Sequence, residues 1–384
     1  SKFNYIEGFA QGDAPLINSE YGGVGALDGD RDIGWSFKFL TNELRLHGQL
    51  SAYIFTELTD VEWERNGFLN YDRTAKDFGY DPVSVNNGDV LSIDAPPICQ
   101  VSPGGKVTVP VYSSHYSRIK REGVIFTWRH SGVDSLGVRH PQLASGHGPV
   151  AFPHHGVATA RTLELTMPHE TMLCTLDVAA VDRDGALIAQ NQIQHFVCNE
   201  APPVRSTKGS AVIHRPRLHQ WSSTRWSGGT GTAEESERDG TCWGIGSGYF
   251  EWSTVDPDFQ TLDQTSSIRV LMEISSRKEG TEQTDHERVP SRCEVSLNGV
   301  LIHQSDLPNH PHDYRGALSY LRGGRGSYGY LINVAVAGTA LRMIIESARN
   351  EGQLRLRCAV DISLPGGLTI YGNGIAITKL CETA

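Results

Sequence analysis

Glu20 is the side chain of this sequence best placed to do chemistry. It stands in the run from Pro15 to Gly23, Pro-Leu-Ile-Asn-Ser-Glu-Tyr-Gly-Gly, where a short apolar segment leads into a carboxylate and then a tight turn. Leu16 and Ile17 read as the end of a buried strand, and Gly22-Gly23 permit the sharp turn, so Glu20 falls at the strand's carboxyl end. In a β/α barrel that end is the catalytic face. A carboxylate there can act as a nucleophile or can simply cap a strand-to-loop turn. Tyr21 is expected either to donate a hydrogen bond to Glu20, holding it ionised and oriented, or to be a packed tyrosine.

The elements that would position Glu20 follow at once. Ile33, Phe37, Leu40 and Leu44 form one apolar stripe of a helix, and Gly48 stops it. Leu50 to Leu58 reads as a second buried strand, so residues 14 to 58 make one strand, helix, strand unit of the kind that builds parallel sheets. The second strand also ends among acids, Glu57, Asp60, Glu62 and Glu64, with Trp63 between them. A sugar ring could stack on the Trp63 indole while its hydroxyls meet Glu57 and Asp60; alternatively these residues close the rim of a barrel.

The run from Pro15 to Asp72 resembles the end of the catalytic domain of glycoside hydrolase family 2, the β-galactosidase, β-glucuronidase and β-mannosidase group. The matching residues are Asn18-Ser19-Glu20-Tyr21-Gly22, then Tyr53-Ile54-Phe55-Thr56-Glu57-Leu58-Thr59-Asp60, Glu62-Trp63-Glu64 and Asn70-Tyr71-Asp72. The resemblance implies that Glu20 is the nucleophile of a retaining β-glycosidase. Such enzymes need two carboxyl groups about 5 Å apart, one to attack the anomeric carbon and one to protonate the leaving oxygen. The family carries its acid in an Asn-Glu pair on an earlier strand, and no such pair precedes Glu20 here. Asn42-Glu43 lies inside the predicted helix and Asn199-Glu200 in a linker. If the chain works alone, Glu57, Glu62 or Glu64 must supply the acid; otherwise another segment completes the barrel. A β/α barrel takes about 250 residues, and residues 1–82 resemble only the end of one.

The rest of the chain alternates rather than spirals. Val107, Val109 and Val111, then Val124, Phe126 and Trp128, then Leu163, Leu165 and Met167, then Cys174, Leu176, Val178 and Ala180 each repeat with period two. With a lead-in strand from Val83 to Asp94, a hairpin loop at Asp182 to Gly185 and a return strand from Leu187 to Val197, residues 83–199 read as an immunoglobulin-like β-sandwich. Residues 200–210 read as a linker. In residues 211–384, Ile268 to Ile274, Cys293 to Leu297, the Asn298-Gly299 turn, Val300 to Ile302, Leu341 to Glu346, Leu354 to Val360, Leu368 to Tyr371 and Ile375 to Leu380 suggest a jelly roll resembling galactose-binding-like modules. Thr230 to Gly240 and Gly280 to Pro290 read as surface loops. The fold class is therefore mainly β, with an α/β segment at the start.

Composition narrows the partners. A formal charge of -10 argues against a nucleic-acid face, and a carbohydrate partner fits better. No apolar run approaches the roughly 18 residues that a membrane-spanning helix needs. The seven cysteines lack Cys-x-x-Cys spacing, so no zinc site is signalled; most read as buried small residues, with Cys174 and Cys198 able to bridge two strands. His140, His147, His154, His155 and His169, and likewise His310, His312 and Asp313, read as surface-loop residues rather than metal ligands. No cofactor is indicated: the glycine run Gly244 to Gly248 lacks the Lys-Ser/Thr of a phosphate loop, and no Gly-x-Ser-x-Gly is present. Trp221, Trp226, Trp243, Tyr249, Phe250 and Trp252 gather where the third domain begins, as a sugar-stacking face or, for Phe250 and Trp252, as core.

Three functions remain: a retaining β-glycosidase, a non-catalytic carbohydrate-binding or assembly protein derived from one, and a hydrolase re-using Glu20 and Glu57 on a rebuilt scaffold. Two parallel strands standing alone would expose sheet edges and apolar faces, so self-association or a complementing barrel fragment is expected. Localisation is left open.

Overall fold

Period-two alternation governs most of the chain, and the computed structural model is accordingly mainly β. It describes residues 8–10, 12–22, 33–62, 64, 66–76, 78, 81–199, 203–254, 265–277, 290–307, 318 and 329–381. Among the described residues no helix is long and apolar enough to cross a membrane.

The first unit is the expected one. Strand β1 (Leu16–Tyr21), helix α1 (Ile33–Leu46) and strand β2 (Leu50–Phe55) form a β-α-β unit, with β1 and β2 parallel and Asn18 opposite Tyr53, Tyr21 opposite Phe55. The second strand ends at Phe55, short of the expected Leu58, because the chain then folds back on itself through the Thr59 to Leu69 bridge. Phe37, on the apolar stripe of α1, packs edge-on against Phe55, Phe68 and Phe78, with ring centroids 5.0, 4.9 and 6.1 Å away. Leu40 and Leu44 extend the same cluster.

After a 3₁₀ turn at Pro82–Ser84, capped by the Asp81 side chain, comes a β-sandwich. Its strands are β3 (Asp89–Ile93), β4 (Ile98–Val101), β5 (Lys106–His115), β6 (Val124–Asp134), β7 (Arg139–Val150), β8 (Gly156–Thr166), β9 (Met172–Val181) and β10 (Leu187–Val197). One sheet has the order β3-β5-β8 and the other β4-β10-β9-β6-β7. The alternating residues named from the sequence are its core, Val109, Val111, Phe126, Leu165, Cys174, Leu176 and Val178 among them. Two details differ. The lead-in strand covers only Asp89–Ile93, because the 3₁₀ turn takes Pro82–Ser84. His140 and His147 lie on a strand, β7, that carries proline, glycine and polar residues instead of alternating apolar ones. That composition suits its place at the sheet's edge. Cys174 and Cys198 are both free thiols, so they form no bridge.

A second sandwich follows. It comprises β11 (Arg205–Lys208), β12 (Ala211–His214), β13 (Ser223–Trp226), α2 (Ala233–Asp239), β14 (Thr241–Gly244), β15 (Gly248–Thr254), β16 (Thr265–Ser275), β17 (Ser291–Leu297), β18 (Val300–Leu307), β19 (Tyr330–Val336), α3 (Gly338–Glu351), β20 (Leu354–Pro365) and β21 (Leu368–Cys381). The sheets run β11-β12-β21-β16-β19, with β14 also on β21, and β13-β15-β20-β17-β18. Phe250, Trp252, Val270, Met272, Val295 and Leu356 lie fully buried between them. The Asn298-Gly299 hairpin is present, with both residues at positive φ as a primed turn requires.

Three expectations here are corrected. Residues 205–208, placed in a linker, form β11 and pair with β12. Thr230 to Gly240 contains α2 rather than only a loop: Thr232 and Glu235 form a reciprocal capping box and Gly240 ends the helix at φ 63°. Leu341 to Glu346 lies in α3, whose buried Leu341, Ile344 and Ala348 recur at the spacing of one helix face. Residues 280–289 and the cluster His310, His312 and Asp313 lie outside the described residues.

Polar side chains join the units. Asn42 on α1 makes a two-way pair with the backbone of Ile93, its Oδ1 accepting at 2.9 Å and its Nδ2 donating at 3.0 Å. Arg45, also on α1 and buried, donates to Ser114 Oγ at 3.0 Å and to the carbonyls of Gly88 and Ser114 at 3.2 Å. Asn42 is thus occupied in holding the helix to the sandwich, not in presenting Glu43 to a site.

Candidate active site at the ends of the parallel strands

Glu20 and Glu57 lie at the carboxyl ends of neighbouring parallel strands. The amide of Thr56 donates to the carbonyl of Tyr21 at 2.8 Å, which continues the pairing to the strand ends and places Glu20 and Glu57 at the same end of the sheet. Glu20 is exposed, and its backbone amide is fixed by Asn18 Oδ1 at 3.2 Å. The Thr56-Glu57 peptide is cis. Glu57 is half-buried, and its Oε1 is buried without a hydrogen-bond partner among the described residues. Burial raises its pKa, and the charges of Glu64, Asp60 and Glu20 raise it further against the opposing charge of Lys76.

The other predicted site residues are placed differently. Tyr21 does not reach Glu20. Adjacent strand residues point to opposite faces, and the Tyr21 ring is buried under α1, with its hydroxyl 2.9 Å from Thr41 Oγ1 and its pKa pushed up to about 12 by burial. Asp60 is buried as well. Its Oδ1 accepts from Lys76 Nζ at 2.6 Å and from the Gly67 amide at 2.8 Å, so the carboxylate holds the loop after β2 together instead of facing solvent. Trp63 lies outside the described residues. Glu62 is exposed at φ 53° in the tight turn closed by Val61 and Glu64.

The face of the parallel sheet away from α1 carries exposed apolar side chains. Ile17 lies opposite Ala52, and Ile54 shares that face; Ile17 and Ile54 are 50% and 56% exposed. Barrel strands turn this face inward, where side chains fill the interior.

In the third unit the aromatic cluster is mostly structural. Phe250 and Trp252 are core, Trp221 and Trp226 pack on Phe250, and Arg277 covers the Trp243 ring at 4.1 Å. In the second unit Asp134, His140 and Glu170 come together, but the Lys208 ammonium pairs with both carboxylates, so the group is an ion-pair network linking the two sandwiches. Sequence reasoning missed Lys208 because it lies on a strand read as linker. It also missed the hub at Asp89, which accepts from Arg121, His115 and Ser117. Burial alone would raise the Asp89 pKa, and those partners together bring it below the ordinary carboxylate value. Ser117 bonds the aspartate, not the imidazole, so this is not a nucleophilic triad.

No protein-family profile matches the chain, and no curated protein does. Similar solved structures include β-glucuronidase 2 of Bacteroides uniformis, 11% identical with a TM-score of 0.21, the alignment covering 96% of this chain and 42% of that one. The exo-chitosanase of Amycolatopsis orientalis is 11% identical with a TM-score of 0.26, over 88% of this chain and 34% of that one. Tandem carbohydrate-binding modules of family 51, from a family 98 glycoside hydrolase of Streptococcus pneumoniae, are 8% identical with a TM-score of 0.24, over 73% and 82%. The chain thus spans about two fifths of the length of the β-glucuronidase. Likeness of this degree assigns no activity and no residue role.

Proposed function

We propose that this chain carries the nucleophile half of a retaining β-glycosidase of the family 2 type. The observation that carries the reading is Glu20, exposed at the carboxyl end of β1 within an Asn-Ser-Glu-Tyr-Gly motif, with Glu57 at the end of the adjoining parallel strand. Glu20 would attack the anomeric carbon and hold the sugar as a covalent ester, which water then hydrolyses. A second carboxyl group protonates the leaving oxygen in the first step and takes a proton from water in the second. Glu57 supplies it if the chain acts alone; otherwise it comes from a segment that covers the open face at Ile17 and Ile54.

A substrate whose leaving group needs no proton isolates the role of Glu20. Dinitrophenyl β-galactoside, β-glucoside, β-mannoside and β-glucuronide should release phenolate with the wild-type chain and not with Glu20→Gln, and a 2-deoxy-2-fluoro analogue should leave its sugar on the peptide containing Glu20. Release equal in both proteins, or none in either, would overturn the proposal.

The second reading is a non-catalytic carbohydrate-binding protein. It is favoured by Tyr21 and Asp60, whose functional groups are both engaged within the fold. Glycan binding without release by either protein would support it.

A further inference from the structure

The outer face of the sheet β13-β15-β20-β17-β18 carries a hollow of about 360 Å³ that the reading above does not use. Its side chains are set by the register. Glu251 lies opposite Arg357, Arg357 opposite Ser296, and Ser296 opposite Leu301, one row across four strands. In the neighbouring row Ala359 lies opposite Glu294. Ser296 and Ala359 are short, so the floor sinks between the taller Arg357, Leu301 and Glu294. Inward-pointing neighbours on the same strands, Val295, Leu297, Leu356 and Cys358, are fully buried and hold the floor rigid.

The walls have unequal duties. Arg357 donates through Nε to Glu251 Oε2 at 2.8 Å and lies 4.2 Å over the Tyr249 ring, which fixes its plane and leaves its terminal nitrogens for a second acceptor. Arg355 approaches the same Glu251 oxygen at 3.9 Å and pairs with Glu351 at 2.6 Å. The Glu294 carboxylate makes no hydrogen bond among the described residues. The hollow therefore offers a fixed donor fork and an unused carboxylate across a short floor, while Leu301, 51% exposed, supplies an apolar wall.

We propose that this hollow binds one neutral hexopyranose residue of a glycan. Vicinal hydroxyls match it: one hydroxyl accepts from Arg357 while its neighbour donates to Glu294, and the C–H face of the ring rests on Leu301. Two carboxylates and two guanidinium groups line the site, so no net charge draws an acidic sugar, and the free Glu294 repels one. The Tyr249 ring is covered by Arg357, so selectivity comes from hydroxyl geometry rather than from aromatic stacking. The proposal rests on the carbohydrate reading of the chain and adds a second binding place remote from Glu20.

Ligand-observed NMR on the full chain with methyl β-galactoside, methyl β-glucoside, methyl β-mannoside and methyl β-glucuronide tests it. At least one neutral glycoside should bind, with affinity about tenfold weaker in Glu294→Ala and in Arg357→Ala, and the glucuronide should bind more weakly than the neutral sugars. Glu294→Gln, which keeps the shape and one acceptor, checks that loss is chemical and not structural. Binding lost in Glu20→Gln but retained in Glu294→Ala would place the sugar at the parallel strands and overturn the proposal while leaving the glycosidase reading intact. Absence of binding by every neutral glycoside would overturn it as well.

Discussion

The hydroxyl of Tyr21 lies 2.9 Å from that of Thr41, a buried bond that ties the last residue of the first strand to the helix packed over it. The bond sets Tyr21 to a structural task one residue from the proposed nucleophile. Tyr21→Phe keeps the ring packed against Tyr53 and Phe55 and removes only that bond. It should destabilise the chain by about 1 kcal/mol, read from chemical denaturation, and leave Glu20-dependent phenolate release within twofold of wild type. A hundredfold loss of release at unchanged stability would return Tyr21 to the chemistry.

Asp60 and Lys76 form a buried ion pair at 2.6 Å beneath the loop that follows β2. Lys76→Met leaves the Asp60 carboxylate with the Gly67 amide as its donor among the described residues, and should cost about 3–5 kcal/mol. Adding Asp60→Asn removes the uncompensated charge while keeping an acceptor for Gly67. The double variant should therefore be more stable than Lys76→Met alone. A single variant as stable as wild type in urea titration would mean that the pair contributes nothing to holding the loop.

His130 and His195 are buried with ring centroids 6.0 Å apart, and neither ring nitrogen of His195 has a partner among the described residues. Burial and then the neighbouring His130 bring the His195 pKa down to about 4, and burial lowers that of His130. The His195 ring is thus neutral in the folded chain down to about pH 4, and the unfolded chain binds more protons below the ordinary histidine pKa. The sandwich should lose stability as pH falls from about 6.5 toward 4, by up to about 3 kcal/mol from His195. Replacing His195 with Gln should flatten the pH dependence of the melting temperature over that window; an unchanged slope would show that the histidines are not its source.

The Thr232 and Glu235 capping box starts a helix of seven residues, too short to persist without its cap. Thr232→Ala should cost about 1 kcal/mol. Hydrogen exchange should show the loss as faster exchange in residues 233–240 and not in strand β9 of the first sandwich. Exchange unchanged there would mean that packing against β14, not the cap, holds the helix.

Much of this architecture was legible locally. The β-α-β unit could be read because Phe37, Leu40 and Leu44 repeat with the helix and Leu50 to Phe55 run apolar, two periods that cannot be confused over those lengths. The sandwich core was legible wherever a strand buries one face, as in Cys174 to Ala180. The edge strand β7 was not, since an edge strand exposes much of itself and needs no alternation. α3 was misread as a strand because Leu341, Ile344 and Ala348 span only two turns, and α2 because its acids outweighed a capping box that was present in the sequence.

The sequence by itself determined where each carboxylate falls along the chain: Glu20 at a strand's end before a glycine pair, Glu57 at the end of the next. Tertiary structure alone decided what each carboxylate meets. Whether a side chain is free depends on partners far along the chain, as Asp60 depends on Lys76, Tyr21 on Thr41 and Glu251 on Arg357, and no local spacing encodes those distances. The hollow beside Glu294 is of the same kind, made by the register of four strands drawn from separate parts of the sequence.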